Sequence, residues 1–145
     1  MTIQIMNDKP LIKSLFSIQK IKNYIDDKSY IEFIQDSLCV DACITQLIQL
    51  GEMERRMTKE YKESHPEVPW KEINGLRNVV VHNYDGIDYL SVWETLEEDI
   101  PSLEKIYINL LQIDFEYTVE EIEEKVQQEF DQMYLKINTS KGMSL

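Results

Sequence analysis

The stretch SYIEFIQDSLCVDACITQLIQLGEMERRMTKEYK, residues 29–62, decides the fold class. It opens on Ser29, three residues before Glu32, the pattern of a capping box in which each side chain satisfies the other residue's backbone N–H at a helix start. Apolar residues follow at Ile34, Leu38, Ala42, Leu47, Leu50 and Met53, the spacing of one helix face. The pattern predicts one helix of about 30 residues, about 45 Å at 1.5 Å per residue. Gly51 falls inside it and costs ~1 kcal/mol against alanine, which points to another element crossing close by.

On the N-terminal side, Leu11, Ile12, Leu15, Ile18, Ile21 and Ile25 predict a helix over Pro10 to Asp26, with Pro10 in its first turn. Asp26, Asp27 and Lys28 form a polar break. On the C-terminal side, Ser64 to Pro69 reads as a loop. Pro69 can open a third helix, with Ile73, Leu76, Val80 and Tyr84 as its inward stripe. Val79, Val80 and Val81 are β-branched, but a strand of three residues with no partner is not expected, so helix is preferred. Asp85-Gly86 ends it.

A fourth helix is expected from Asp88 as N-cap to about Glu98, and Pro101 restarts the chain into a fifth. Thr118 and Glu121 form a second capping box, which opens an acidic amphipathic segment to about Ile137. Asn138 to Leu145 look frayed. The expectation is therefore an all-α protein: an up-and-down bundle of four to five helices with an extra C-terminal helix. Residues 1–145 form a single domain, of which 113–145 is an acidic C-terminal helical extension.

The chain has 145 residues, 43% hydrophobic and 29% charged, with only four glycines and four prolines. That is enough for one real core and favours long elements. No apolar run approaches a membrane span, and Met1 to Lys13 lacks the basic-then-apolar pattern of a signal peptide. Cys39 and Cys43 lie four apart and read as reduced thiols, so a cytoplasmic protein is expected. Their spacing to either histidine does not match a structural zinc site, and no metal or cofactor is expected. The net charge of −12 argues against bulk electrostatic coating of nucleic acid and leaves room for a local basic pocket.

Chemistry concentrates in Arg77-Asn78-Val79-Val80-Val81-His82-Asn83-Tyr84, where four groups able to donate hydrogen bonds fall within eight residues. Histidine titrates near neutrality and can move a proton, arginine matches phosphate oxygens with a fixed fork of donors, and tyrosine can hydrogen-bond or stack on a base. Those are the groups that RNA cleavage without a metal requires. A plainer role is open to the same residues: Arg77 paired with a carboxylate and His82 capping a helix end. His65, before Pro66, reads as a solvated loop residue, and Trp70 and Trp93 as core anchors. Asp36, Asp41 and Glu52 interrupt an apolar helix; they either orient Arg77 or His82 or lie on a solvated face.

The segment resembles the R-x-x-x-x-H-x-Y motif of HepT proteins, a branch of the HEPN superfamily. The flanks are similar too: His65 to Trp70, Ile73 to Leu76, Gly86 to Asp88, Val92-Trp93 and Asp99 to Pro101. Earlier, Glu32-Phe33, Asp36, Asp41-Ala42 and Gly51-Glu52 match in type and order, so the resemblance runs from about Leu11 to Gln112. It implies a HEPN-like helical bundle that forms a two-fold homodimer, with Arg77 and His82 as a metal-independent ribonuclease site at the dimer seam. Asn78, Tyr84, Asp36, Asp41 and Glu52 would bind RNA or support the site. It further implies a toxin of a type VII-like toxin–antitoxin system, cutting transfer or messenger RNA. A minimal nucleotidyltransferase antitoxin would silence it by transferring AMP to Tyr84. Three positions depart from the family pattern: Asn83 stands where glycine is frequent, Asp85 where an aromatic is frequent, and Thr45 where many relatives carry a basic residue.

On a regular helix Tyr84 lies only ~20° from Arg77 and His82 ~140° away. Either the helix departs from regularity before His82, or a second chain completes the pocket. The competing expectation is a non-enzymatic helical partner or nucleotide-binding subunit of a nucleotidyltransferase, which the negative charge and Thr45 favour.

Overall fold

The computed structural model describes residues 7–78 and 86–139. Helix α1, Asp8–Ile25, turns its apolar face inward: Leu11, Ile18 and Ile21 are fully buried. Asp26 and Asp27 end it, and Asp27 takes a left-handed φ of 58°. Ser29 then accepts from the Glu32 N–H while Glu32 accepts from the Ser29 N–H, the expected capping box.

The single long helix expected over residues 29–62 is instead three: α2 (Tyr30–Gln35), α3 (Ser37–Arg56) and α4 (Lys59–Glu63). Two side-chain caps make the breaks. Asp36 leaves helical geometry and accepts from the Cys39 N–H, so it starts α3. Met57 is extended, and Thr58 caps α4 by accepting from the Tyr61 N–H. Fully buried Asn7 clamps this second break from outside, accepting the Thr58 N–H at 2.8 Å and donating to its Oγ1 at 3.1 Å.

The loop after α4 leads to α5 (Trp70–Gly75), which tightens into a 3-10 turn at Leu76–Asn78. His65 is not the solvated residue expected from its loop position. Its Nε2 lies 2.7 Å from Asp114 and its Nδ1 3.1 Å from Glu67, while Tyr61 donates to the same Asp114 carboxylate at 2.6 Å. Trp70 donates its indole N–H to the Lys62 and His65 carbonyls, fixing the loop.

Asp88 caps α6 (Tyr89–Glu94) as expected. Pro101 does not restart the chain. A π turn at Thr95–Asp99 joins α6 directly to α7 (Ile100–Phe115), so Pro101 lies just past that turn inside a continuous rod. Glu116, left-handed at φ 57°, ends α7.

Thr118 and Glu121 cap α8 reciprocally; it runs over Val119–Thr139, past the point where fraying is expected, and residues 140–145 lie outside the described residues. The acidic helix packs on α1. Phe130 meets Phe16 edge-on at 4.7 Å, Lys13 pairs with Glu129, and Tyr117 donates to Asp8 at 2.7 Å. Among the described residues there is no strand, and no helix is long and apolar enough to cross a membrane. Trp93, against Phe33 at 4.9 Å, and Trp70, stacked on Tyr107, anchor the core as expected.

Candidate functional site

The site is organised by α3. Gly51 is buried on it, and a Cβ there would stand 2.9 Å from Arg77 Cβ, 3.0 Å from Arg77 N and 3.1 Å from the Asn74 carbonyl. Glycine is what lets α5 and its 3-10 turn press onto α3, the close crossing expected from its place in an apolar helix. The next residue, Glu52, meets Arg77 from the side: Nε lies 3.2 Å from Oε1 in an ion pair, with both side chains part-exposed.

Two residues on, Glu54 is a carboxylate in the core, its side chain 5% exposed. It accepts from Lys62 at 2.7 Å and from the Asn74 side chain at 2.8 Å. One buried group therefore ties α3 to α4 and α5, and with them the turn that carries Arg77 and Asn78. Glu54 was not among the residues expected to matter. The signal was present: positions 47, 50, 54, 57 and 61 form one inward stripe, and a carboxylate on such a stripe needs partners.

Of the three acidic residues singled out in the sequence, Glu52 is the one at Arg77. Asp36 is the cap of α3 and pairs with Lys28 at 3.4 Å. The Cys39 N–H and the nearby Lys28 hold its carboxyl below the ordinary value. It lies ~24 Å from Glu52 along the helix axis, and exposed Asp41 ~16 Å away. Neither belongs to the Arg77 cluster within this chain. His82 and Tyr84, with Val79 to Asp85, lie outside the described residues. Winding changes at Leu76, six residues before His82, so the regular-helix angles do not carry across the motif.

Arginine at a tight turn, part-exposed and held by one carboxylate, is suited to an anionic group: a phosphate can take the place of Glu52 against the same donors. Thr45 lies on the exposed face of α3 and donates to the Asp41 carbonyl. Cys39 and Cys43 are both buried free thiols, and burial pushes the Cys43 thiol well up. Among the described residues, no group of three or more His, Cys, Asp or Glu is arranged to hold a metal ion.

Residues 15–110, which include this site, match the family model described as "Ribonuclease HepT-like". The chain belongs to the HepT-like ribonuclease family. It is 38% identical over 91 residues to "Putative RNase MJ1380" of Methanocaldococcus jannaschii, covering 63% of this chain and 84% of that one. It is 37% identical over 97 residues to "Putative RNase TTE0752" of Caldanaerobacter subterraneus, covering 67% and 83%. With "Probable ribonuclease HepT" of Thermococcus cleftensis it shares 33% over 87 residues, covering 60% and 79%. No solved structure matches significantly. The HepT-like match stops at Leu110, so the end of α7 and the whole of α8 are additions to the matched region.

Proposed function

We propose that this HepT-like chain is the toxin of a toxin–antitoxin pair and cleaves RNA without a metal ion. Arg77 grips the scissile phosphate, and His82 carries the proton: one base takes the 2′-hydroxyl proton as that oxygen attacks phosphorus, and an acid protonates the departing 5′-oxygen. Asn78 and Tyr84 support the pocket, and Glu52 holds Arg77 until a phosphate displaces it. Tyr84 is the acceptor for AMP from a nucleotidyltransferase antitoxin; its phenol oxygen bonds the α-phosphorus of ATP as pyrophosphate leaves. Transfer or messenger RNA is the substrate.

The observation that carries this reading is the placement of Arg77. A buried carboxylate network and a glycine contact fix its turn, while the guanidinium remains part-exposed beside the displaceable carboxylate of Glu52. A two-fold dimer is supported by exposed apolar side chains on the touching helices α2, α3 and α6: Leu38 is 81% exposed, Ile31 61% and Leu90 51%. Asp36 and Asp41 stand two residues before and three after Leu38, so a seam through Leu38 would turn them toward a partner rather than their own Arg77.

The ion pair with Glu52 also favours a second reading, a non-enzymatic partner of the nucleotidyltransferase, because it leaves Arg77 engaged in the absence of RNA. Purified protein incubated with total RNA in excess chelator, with His82→Ala alongside, separates the two. Cleavage by the wild type alone supports the ribonuclease. No cleavage by protein whose intact mass excludes AMP on Tyr84 favours the partner.

A further inference from the structure

We propose that the cleft between α1 and α3 is a second RNA-backbone site, in which Lys13, Lys20 and Arg56 receive phosphates of a strand held at Arg77. The proposal rests on the reading of Arg77 as a phosphate clamp. The cleft has a volume of about 420 Å³ and is lined from α1 by Lys13, Phe16 and Lys20 and from α3 by Gln46, Gln49 and Arg56, with Ser17, Thr45 and Met53 completing the wall. Among the described residues no carboxylate lines the cleft itself, in a chain with 27 acidic and 15 basic residues. Glu129 pairs with Lys13 at its rim, so its positive potential comes chiefly from Lys20 and Arg56.

The cations are ordered along a track. Lys13 and Lys20 are seven residues apart, on one line of α1 and about 10 Å apart along its axis. Lys20 is steadied over the Phe16 ring at 4.1 Å. Lys13 is held from the other side by Glu129 at 3.5 Å, a long and part-exposed contact that a phosphate can replace.

The neutral polar groups that the cleft offers beside its cations are the exposed Thr45 and Gln49 of α3. Cations spaced about 10 Å apart suit successive phosphates of a strand better than one small anion.

The cleft also adjoins the Arg77 site. Arg56 and Glu52 are four residues apart on α3 and so share one face, and Glu52 touches Arg77. A strand leaving Arg77 crosses Glu52 and meets Arg56 within one helical turn.

The test is anisotropy of a fluorescent 12-nucleotide 2′-O-methyl RNA, which lacks the attacking hydroxyl, with full-length protein, titrated at several salt concentrations. Lys20→Gln with Arg56→Gln should weaken binding at least tenfold. It should also lower the salt dependence by about 1.4, since each phosphate contact on a single strand contributes about 0.7. Gln49→Arg should tighten binding, a gain that misfolding cannot mimic. Unchanged affinity and salt slope in both variants overturns the cleft, even if the wild type cleaves RNA. Variant effects as stated, in a protein whose His82→Ala form is indistinguishable from wild type in cleavage assays, keep the cleft and overturn the Arg77–His82 reading. Failure of the wild type to bind RNA at any salt overturns the proposal.

Discussion

Arg77 Cβ occupies the space that a side chain on Gly51 would need, 2.9 Å from the ideal Cβ position. The atoms in the way are the turn's own frame, Arg77 Cβ and N and the Asn74 carbonyl, and none is the far end of a flexible chain. Gly51→Ala should therefore push the Arg77 turn outward. Overpacking costs about 1–3 kcal/mol, against which helix propensity returns up to about 1. The net loss should lower the melting temperature by a few degrees and reduce RNA cleavage at least tenfold. A variant that melts higher and cleaves normally would show that the close approach does not position Arg77.

Glu54→Ala should be among the most destabilising single changes in the molecule. It strands the Lys62 ammonium and the Asn74 amide, and breaking a buried pair costs about 3–5 kcal/mol. Lys62 is one quarter exposed, which places the loss near the lower end. Urea titration measures it. Adding Lys62→Met to Glu54→Ala should recover part of the loss, and strict additivity of the two changes would contradict the pairing.

Glu52→Gln separates stability from activity. The pair with Arg77 is part-exposed, a class worth about 0–1 kcal/mol, so the melting temperature should hardly move. Removing the carboxylate removes the anion with which a substrate phosphate competes, so KM for RNA should fall. A raised KM would mean that Glu52 orients the arginine rather than occupying it.

Acid should open the helix starts first. The Cys39 N–H holds the Asp36 carboxyl below its ordinary value, and the Ser91 N–H does the same for Asp88. A carboxylate with a depressed folded pKa stabilises above its unfolded value, near pH 4, and that contribution is lost as pH falls through the lower folded value. Urea unfolding followed from pH 6 to pH 2 should show the loss below about pH 4. Asp36→Asn keeps the cap without the charge, so its low-pH limb should be shallower. An unchanged limb would move the origin of acid sensitivity elsewhere.

Leu38→Glu should leave the protomer's stability within about 0.5 kcal/mol, because the side chain is 81% exposed. If the apolar face joins two copies, the same change should convert a dimer to a monomer by light scattering and abolish cleavage. A variant that remains dimeric puts the seam on another face.

The all-helical fold was legible because its signals are local. The capping boxes at Ser29 and Thr118 and the Asp88 cap each need only residues three apart. The breaks at Asp36 and Met57 were missed because apolar periodicity continues through them. What ends α3 is Thr58 held by Asn7, fifty-one residues away. His65 was misjudged for the same reason, since Asp114 reaches it from α7. At the site, Gly51 and Glu52 were informative because a glycine or a carboxylate in a helix needs a reason. Glu54 needed the stripe to be read through a charge.

The π turn at Thr95–Asp99 makes the α6–α7 rod sensitive to residue count. A π turn holds one residue more than an α turn, so it offsets the two halves of the rod by about 100°. Trp93 in the first half faces Phe33, and Tyr107 in the second faces Trp70. Deleting a single residue there would give a more regular helix and a worse protein, because the rod would unscrew one aromatic contact to keep the other. The irregular turn thus acts as a phase adjuster between two docking faces, and chain length at this point is fixed to the residue.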